Sequence, residues 1–392
     1  MKIDHVCFYV ENAGAMREWF ADCLGFQSIA SGIWNHHHTE VVQSGQVIFV
    51  LRSPADRTSP AAKFLAQHPC GVCDVALQVD DLDKVFERAI SQGATPIHPI
   101  KTVKQSDGLL KWAAIASWGS VIHTLVERTG ITPLLPPTLI SNQASHLPIQ
   151  ANDCIPASLP PQPSPAIASY PLNANFLGID HVVLNVPNGE LASAVAWYQT
   201  VLGLEPEQVF KISTDRSALC SQVMRHPTGS LQIPINEPAS PNSQIQEFLD
   251  ANRGAGIQHI ALETPNLVHA IAQFRDAGVK LIQVPPTYYQ ELKQRPNQPF
   301  SEATLQAIAT QQLLADWQDD TNAGILLQTF TQPIFKQPTF FLEFIERQSH
   351  PSATLPCKAR GFGEGNFRAL FEAIEQEQIR RGAMTCPNVK SY

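Results

Sequence analysis

The chain has 392 residues, of which 44% are hydrophobic and 16% are charged, a composition typical of a folded protein with room for two or three domains. Its formal net charge of -8 and the lack of a basic run disfavour nucleic acid as a partner. Eight cysteines are too few for a disulfide scaffold. We find no signal-peptide pattern and no apolar run of the ~18 residues that a membrane span needs, so we expect a cytoplasmic protein without membrane contact.

Residues 1–130 are predicted to form one compact half. They open on a strand with the sequence Ile-Asp-His-Val at positions 3–6. A helix-like segment follows and ends at Leu24 and Gly25. A further strand starts at Gly71, a second helix follows it, and Ile122–Arg128 is the last strand of this half.

Two local clusters in this half have conspicuous residue types. Cys70 and Cys73 form a single C-x-x-C pair without a second pair, so we interpret them as buried thiols. His36, His37 and His38 are consecutive, and consecutive side chains point in different directions, so we interpret them as a loop and not as a metal site.

Residues 131–175 have a different composition, with ten prolines among Ser, Asn and Gln. Such a segment cannot bury a core, so we predict an extended linker packed on the surface. Residues 176–348 form the second half, and residues 349–392 form a tail with a glycine-rich turn and a helix from Asn366 to Arg380.

The second half repeats the pattern of the first. Ile-Asp-His-Val recurs at 179–182, and a helical segment again ends in Leu202 and Gly203. Each half is predicted to contain two units, each a strand, a helix and then three strands. The fold class is therefore α+β, with two open barrel halves of two βαβββ modules each and a C-terminal helix. An internal repeat of this size indicates one module copied and reused.

The two copies differ in chemistry at three matched positions. The repeat aligns His5, Asp74 and Thr124 of the first half with, in the second half, His181, His259 and Glu343. A single His on an apolar strand is more often a hydrogen-bonded core residue, but a Glu between Phe and Leu residues is unusual in a core. Two imidazoles and one carboxylate with open positions form the facial triad expected of non-heme Fe(II) oxygenases. We therefore predict a metal site in the second half and interpret His5 as structural.

The sequence resembles the vicinal-oxygen-chelate (glyoxalase-like) superfamily, in which paired βαβββ modules surround one metal. Several strings of the second half narrow this resemblance to the 4-hydroxyphenylpyruvate dioxygenase family. They are Pro234–Pro238, Ser243–Gln246, Gly254–Ala261, Pro285–Tyr289, Leu327–Thr331, Phe340–Glu343 and Gly361–Phe367. The first half and the linker match that family only loosely.

The resemblance implies roles for individual residues. His181, His259 and Glu343 would be the ligands of one Fe(II) per subunit. Polar groups would surround the substrate's ring and hydroxyl, and Gln328 would lie beside the metal-bound oxygen atoms. Asn236 and Gln328 would be the catalytic residues. The implied substrate-binding residues are Ser221, Asn236, Gln244, Gln258, Gln328, Phe330, Phe341, Phe362, Phe367 and Pro234.

The resemblance also implies a reaction: conversion of 4-hydroxyphenylpyruvate and O2 to homogentisate and CO2, in tyrosine catabolism or in supply of quinone and tocopherol precursors. The tail helix would be a gate that closes over the cavity, and the half without metal ligands would be available for homo-oligomer formation. Two alternatives stay open: a 4-hydroxymandelate synthase, which uses the same substrate and triad, and a glyoxalase-like metal isomerase. A non-catalytic binding protein of the superfamily is disfavoured, because such proteins lack the triad.

Overall fold

The α+β architecture predicted from the repeat is confirmed. The computed structural model describes residues 1–105, 107–139, 175–317, 324–349, 359 and 361–382, and within these ranges it contains two mixed sheets of eight strands each and nine α-helices. In the same ranges no helix is both long enough and apolar enough to cross a membrane. Most of the proline-rich segment lies outside the described residues.

The N-terminal sheet has the strand order β2-β3-β4-β1-β5-β8-β7-β6. Its central strands β1 and β5 are antiparallel, while β1 pairs in parallel with β4 and β5 pairs in parallel with β8. The elements of this half are β1 (Lys2–Tyr9), α1 (Ala13–Leu24), β2 (Gln27–Trp34), β3 (His37–Ser44), β4 (Val47–Pro54), α2 (Pro60–Gln67), β5 (Gly71–Gln78), α3 (Leu82–Ser91), β6 (Pro96–Gln105), β7 (Gly108–Ala116) and β8 (Ile122–Gly130).

The C-terminal sheet repeats this order as β10-β11-β12-β9-β13-β16-β15-β14. Its elements are β9 (Gly178–Asn185), α4 (Leu191–Trp197), β10 (Glu205–Ser213), β11 (Ala218–Arg225), β12 (Gln232–Pro238), α5 (Gln244–Asn252), β13 (Gly256–Glu263), α6 (Leu267–Asp276), α7 (Pro286–Gln294), α8 (Glu302–Thr310), β14 (Leu314–Trp317), β15 (Ile325–Phe330) and β16 (Phe341–Gln348). After a short 3-10 turn, α9 (Phe367–Arg380) forms the tail helix. Each sheet thus consists of two modules joined at one central antiparallel pair.

The Leu-Gly pairs that marked the repeat end the first helix of each half. Gly25 and Gly203 both adopt left-handed backbone conformations, with φ of 72° and 68°. Glycine takes this conformation without a Cβ clash, so it stops the helix and turns the chain into the next strand. In the second half the last turn before Gly203 is a π-helical segment, Tyr198–Leu202, and not the continuous α-helix that the periodicity predicted.

The two faces of the central strands have different surroundings. Val6 and Phe8 of β1 point into the large core, which also contains residues of the second half; Phe8 packs edge-on against Phe340 with ring centroids 5.2 Å apart. Cys7 and Tyr9, on the opposite face, belong to a small separate cluster inside the N-terminal sheet. The large core contains residues of both halves. The opposite, concave face of each sheet therefore takes no part in joining them.

Two sequence-based expectations need correction. His37 and His38 are in strand β3 and not in a loop, and only His36 lies in the preceding turn, with a positive φ. The segment 131–139 is not purely a surface linker, because Leu135 and Leu139 are buried in the small cluster of the first half. Helices α2, α5, α7 and α8 and the four-residue strand β14 were not predicted.

Candidate metal centre

His181, His259 and Glu343 lie on three neighbouring strands at the centre of the C-terminal sheet. β13 is the middle strand of the three, and its residue Ala261 stands opposite His181 on one side and Glu343 on the other. His259 precedes Ala261 by two residues and shares its face of the strand. The register therefore brings together three side chains that are separated by about 80 residues each in the sequence.

The ligand-type atoms of these side chains converge. His181 Nε2 lies 3.1 Å from Glu343 Oε2, and His259 Nε2 lies 3.5 Å from the same oxygen. The three donor atoms lie within 4.8 Å of one another, and no fourth His, Cys, Asp or Glu among the described residues joins the group. His181 and Glu343 are only 3% and 4% exposed and the side chain of His259 is 13% exposed, so the cluster is largely shielded from bulk water.

Burial and mutual charge set the protonation of the cluster. Burial lowers the pKa of His259 and favours its neutral form. Burial also acts to lower the pKa of His181, but the carboxylates of Glu343 and Asp180 outweigh it and raise that pKa to about 9. Burial would raise the pKa of Glu343, yet His181 and His259 bring it below its ordinary value. Their mutual attraction thus raises the pKa of His181 and lowers that of Glu343, and a divalent cation bound between them would compete with protons for the same atoms.

Residues outside the cluster fix the orientation of His181. Its Nδ1 atom lies 2.8 Å from Asp180 Oδ1, which leaves Nε2 facing Glu343. Asp180 is in turn held by Arg347, whose Nε and Nη2 donate to the two carboxylate oxygens at 2.6 and 2.8 Å. A carboxylate behind a histidine is the arrangement that typically orients a metal-binding imidazole.

The three residues form one end of a cavity of about 100 Å³. The ring of His259 stacks on Phe341 at 4.7 Å, and the ring of Phe362 meets that of His181 at 5.1 Å. Polar groups on the cavity wall include Gln328, which is 1% exposed and whose Oε1 has no hydrogen-bond partner among the described residues. All the residues for which we predicted substrate contact line this cavity, namely Ser221, Pro234, Asn236, Gln244, Gln258, Gln328, Phe330, Phe341, Phe362 and Phe367.

The cavity also has walls that the sequence interpretation missed. Helix α9 contributes apolar side chains, and Phe210 of β10 packs edge-on against Phe367 at 4.9 Å. The additional lining residues are Val183, Phe210, Ile212, Leu219, Val223, Ile245, Leu370, Phe371 and Ile374. Asp180 and Arg347 were also missed, although the repeat contains a signal for them: Asp precedes His5 and His181 alike, and Arg128 and Arg347 hold matched positions.

The matched positions of the N-terminal sheet form no such cluster. Thr124 donates its backbone N–H at 2.9 Å and its hydroxyl to the carboxylate of Asp74, so the two residues satisfy each other. His5 is fully buried and pairs through Nδ1 with Asp4 at 2.7 Å, while its Nε2 has no partner among the described residues. Of the described residues, the other group of three with metal-type side chains is the largely exposed acidic set Asp81, Asp83 and Glu127.

Comparison with known proteins covers both halves. Residues 1–132 match the family described as hydroxyphenylpyruvate dioxygenase, HPPD, N-terminal, and residues 180–294 match the glyoxalase/bleomycin resistance protein/dioxygenase superfamily. The chain is 33% identical to 4-hydroxyphenylpyruvate dioxygenase from Caenorhabditis elegans, over 99% of this chain and 94% of the relative. It is 35% identical to the enzyme of the same name from Caenorhabditis briggsae over the same shares, and 33% identical to that from Dictyostelium discoideum over 97% of this chain and 98% of the relative.

Solved structures share the fold. A mutant of 4-hydroxymandelate synthase from Streptomyces coelicolor superposes with a TM-score of 0.74 at 23% identity, covering 96% of this chain and 98% of that one. A xylose isomerase-like TIM barrel/4-hydroxyphenylpyruvate dioxygenase fusion protein superposes with a TM-score of 0.67 at 21% identity, covering 96% of this chain and 52% of the fusion. The predicted vicinal-oxygen-chelate fold is thereby confirmed.

Proposed function

Because the chain belongs to the 4-hydroxyphenylpyruvate dioxygenase family, we propose that it converts 4-hydroxyphenylpyruvate and O2 to homogentisate and CO2 at a ferrous centre in its C-terminal sheet. The observation that carries this proposal is the buried convergence of His181, His259 and Glu343 at one end of an aromatic cavity.

The three side chains suit Fe(II). Two imidazole nitrogens and one carboxylate oxygen on one side leave other coordination positions open, which is the donor set of non-heme iron oxygenases. When bound, ferrous iron would supply positions for the substrate's 2-oxo acid group and for O2, together with the redox chemistry of oxygen activation. The protein's part is to hold His181 in one tautomer through Asp180 and to keep His259 neutral by burial.

The rest of the cavity suits an aromatic keto acid. The flat ring of the substrate needs aromatic and apolar walls, which Phe330, Phe341 and Pro234 provide. Its phenol hydroxyl needs a few polar partners. We propose Ser221, Asn236, Gln244 and Gln258 for this role, in agreement with their positions along the wall.

Gln328 and Asn236 are the residues that we propose as catalytic. Gln328 lines the cavity together with the metal cluster and residues of the tail, and its Oε1 atom is buried and unpaired among the described residues, so it can accept a hydrogen bond beside the reacting oxygen atoms. Asn236 donates to Asn185 Oδ1 at 3.2 Å, which holds its amide in place at the ring end of the cavity. Closure by α9 would exclude bulk water from the reacting groups and so suppress side reactions.

The test is anaerobic reconstitution with Fe(II), followed by addition of 4-hydroxyphenylpyruvate and O2 and chromatographic identification of the product. Homogentisate is expected. A benzylic alcohol product would instead support the 4-hydroxymandelate synthase alternative, to which the solved structure at 23% identity shows likeness in fold alone. The metal-isomerase alternative requires a further carboxylate at the metal, and none is found among the described residues. Absence of O2 consumption would count against the proposal.

We further propose the predicted division of the chain, with residues 1–130 as a half without metal, 131–175 as a linker whose start packs on that half through Leu135 and Leu139, 176–348 as the catalytic half and 349–392 as a tail with a gating helix. A cytoplasmic location is supported by the free thiols of the described cysteines Cys7, Cys23, Cys70, Cys73 and Cys220.

We also propose a homo-oligomer that associates through the metal-free half. Light scattering of the purified protein tests this last proposal, which a monomer would contradict.

A further inference from the structure

Arg347 occupies a position between the proposed metal centre and the C-terminal tail. Its side chain is 9% exposed, and its guanidinium has partners on two sides. On one side it binds both carboxylate oxygens of Asp180 at 2.6 and 2.8 Å. On the other side its Nη1 donates to the main-chain carbonyl oxygens of Ala359 at 3.1 Å and Gly361 at 3.0 Å.

The first set of contacts leads to the metal cluster. Asp180 Oδ1 accepts a hydrogen bond from His181 Nδ1, so the imidazole can turn only if the Asp180 carboxylate turns with it. Because both oxygens of Asp180 are bound by one rigid, planar guanidinium, its orientation is set by Arg347.

The second set of contacts leads to the tail. Gly361 is followed directly by Phe362, whose ring lies 5.1 Å from that of His181. At Gly363 the backbone passes so close to Gln328 that an added Cβ would lie 2.5 Å from Oε1 of that side chain. The carbonyls that Arg347 binds therefore start the stretch of chain that covers the cavity.

The N-terminal half contains the same device without a metal cluster. Arg128 binds Asp4 with Nε and Nη2, both at 3.0 Å, and Asp4 pairs with His5. Its remaining N–H groups donate to the carbonyls of Pro133 at 2.6 Å and Leu134 at 2.7 Å. In that half Arg128 binds the chain that follows the last strand, and its aspartate supports no metal cluster.

We propose that Arg347 is a positioning residue that couples metal binding at His181 to docking of residues 361–380, so that each stabilises the other. The inference rests on the proposed metal centre. Coupling of this kind is reciprocal: if the metal strengthens docking of the tail, a docked tail strengthens metal binding by the same factor.

The first experiment measures amide hydrogen exchange in residues 361–380 with and without Co(II), a divalent probe that is stable in air. In the unmodified protein Co(II) should slow exchange in this segment. Arg347→Gln should abolish that metal-dependent slowing and weaken Co(II) binding by about 10- to 100-fold. The matched variant Arg128→Gln should retain both, although it also loses an arginine that is paired with an aspartate and only partly exposed.

A second variant separates coupling from simple loss of structure. Arg347→Lys keeps a positive charge for Asp180, but a single ammonium cannot also hold both carbonyls. We expect it to bind Co(II) within a few-fold of the unmodified protein and to lose the metal-dependent slowing of exchange. This variant decides the matter if Arg347→Gln does not fold.

The reciprocal direction is tested at the far end of the tail. Glu375 in α9 is 3% exposed and accepts hydrogen bonds from Thr214 and Ser217, so Glu375→Ala should loosen docking without touching the cavity. Glu375→Ala should weaken Co(II) binding several-fold in the unmodified background and leave it unchanged beside Arg347→Gln.

Two results would overturn the proposal: metal-dependent slowing that persists in the Arg347 variants, or effects of Glu375→Ala and Arg347→Gln that simply add. A different result would speak against the metal centre itself. If the unmodified protein binds no Co(II), or binds it equally after Glu343→Gln, the proposed function fails and the coupling with it.

Discussion

The N-terminal and C-terminal halves share a strand order, a central register and a set of supporting contacts. In both, an arginine of the last strand grips the aspartate before a histidine, as in Arg128 with Asp4 and Arg347 with Asp180. The halves differ at the two other matched positions. Asp74 and Thr124 satisfy each other by hydrogen bonding, whereas Glu343 Oε2 lies 3.1 Å from His181 Nε2 and 3.5 Å from His259 Nε2.

This difference teaches that the supporting contacts alone do not make a metal site. His5 keeps its aspartate and its arginine, but among the described residues it belongs to no group of metal-type side chains like that of His181. The space differs as well, because the concave face of the N-terminal sheet is filled by Leu135, Leu139 and their neighbours, whereas that of the C-terminal sheet keeps a cavity. The proposed function of the second half thus rests on His259 and Glu343 and on the cavity that its sheet keeps among the described residues.

The largest expected effect comes from removing the carboxylate of Glu343, which the N-terminal half lacks at the matched position Thr124. Glu343→Gln removes the charge that holds a divalent ion, so iron content should vanish and turnover should fall by at least about 100-fold, more than the usual loss from a supporting residue. Metal analysis and O2 uptake measure this. The control is Thr124→Val at the matched position of the N-terminal half. It should keep both iron and turnover, while the lost hydrogen bond lowers the free energy of unfolding by about 1–3 kcal/mol. An active Glu343→Gln enzyme would refute the ligand assignment.

The second prediction concerns the tail, which covers a cavity in one half only. Deletion from Gly361 onward removes Phe362, Phe367 and Phe371 from the cavity wall. The reacting groups are then open to bulk water and to side reactions, so O2 uptake should continue while homogentisate per O2 consumed falls well below one. Parallel oxygen-electrode and chromatography measurements give this ratio. Intact coupling in the deletion would show that the tail is not a gate.

The third prediction concerns the leucines that fill the concave face of the N-terminal sheet. Leu135 is 1% exposed, and Leu135→Ala should lower the free energy of unfolding by about 2–4 kcal/mol through the cavity it leaves. Denaturant titration measures this loss. Because Leu135 packs against the N-terminal sheet and does not line the cavity of the proposed metal centre, kcat for homogentisate formation should stay within about twofold of its original value. A large fall in kcat would mean that the halves are not functionally separate.

The smallest effect is a pH dependence that belongs to the N-terminal half. Burial and, after it, Arg52 lower the pKa of His37 to about 4, below the value of about 6.5 for an unfolded chain. The folded protein then binds fewer protons than the unfolded chain between these values. His37 should therefore contribute full stability above pH 6.5 and lose up to about 3 kcal/mol as pH falls through 4.

Unfolding curves between pH 4 and 7 for His37→Phe measure this contribution, since phenylalanine can keep the stacking on Tyr9, now at 5.5 Å. The variant should show a flatter dependence of stability on pH. His38→Gln, at an exposed position on the same strand, is the control and should leave the slope unchanged. An unchanged slope in His37→Phe would show that this histidine is not the source.

The repeat made much of this architecture predictable, because the contrast between matched positions singled out His259 and Glu343. Asp180 and Arg347 were not predicted as supporting residues, because the matched positions of the first half, Asp4 and Arg128, have the same residue types. A comparison that looks for differences does not reveal them. Strand β14 has only four residues and no alternation, so its sequence resembles a loop. The docking of Phe371 on α5 depends on contacts between distant parts of the chain, which periodicity alone does not give.

The central claim is that a single ferrous ion is held in the C-terminal half by His181, His259 and Glu343. Crystals grown anaerobically with Fe(II) and measured with X-rays at the iron absorption edge would locate it. We predict one anomalous peak per chain, within bonding distance of those three side chains. A peak among the N-terminal strands near His5, or three side chains that point away from one another, would contradict the account.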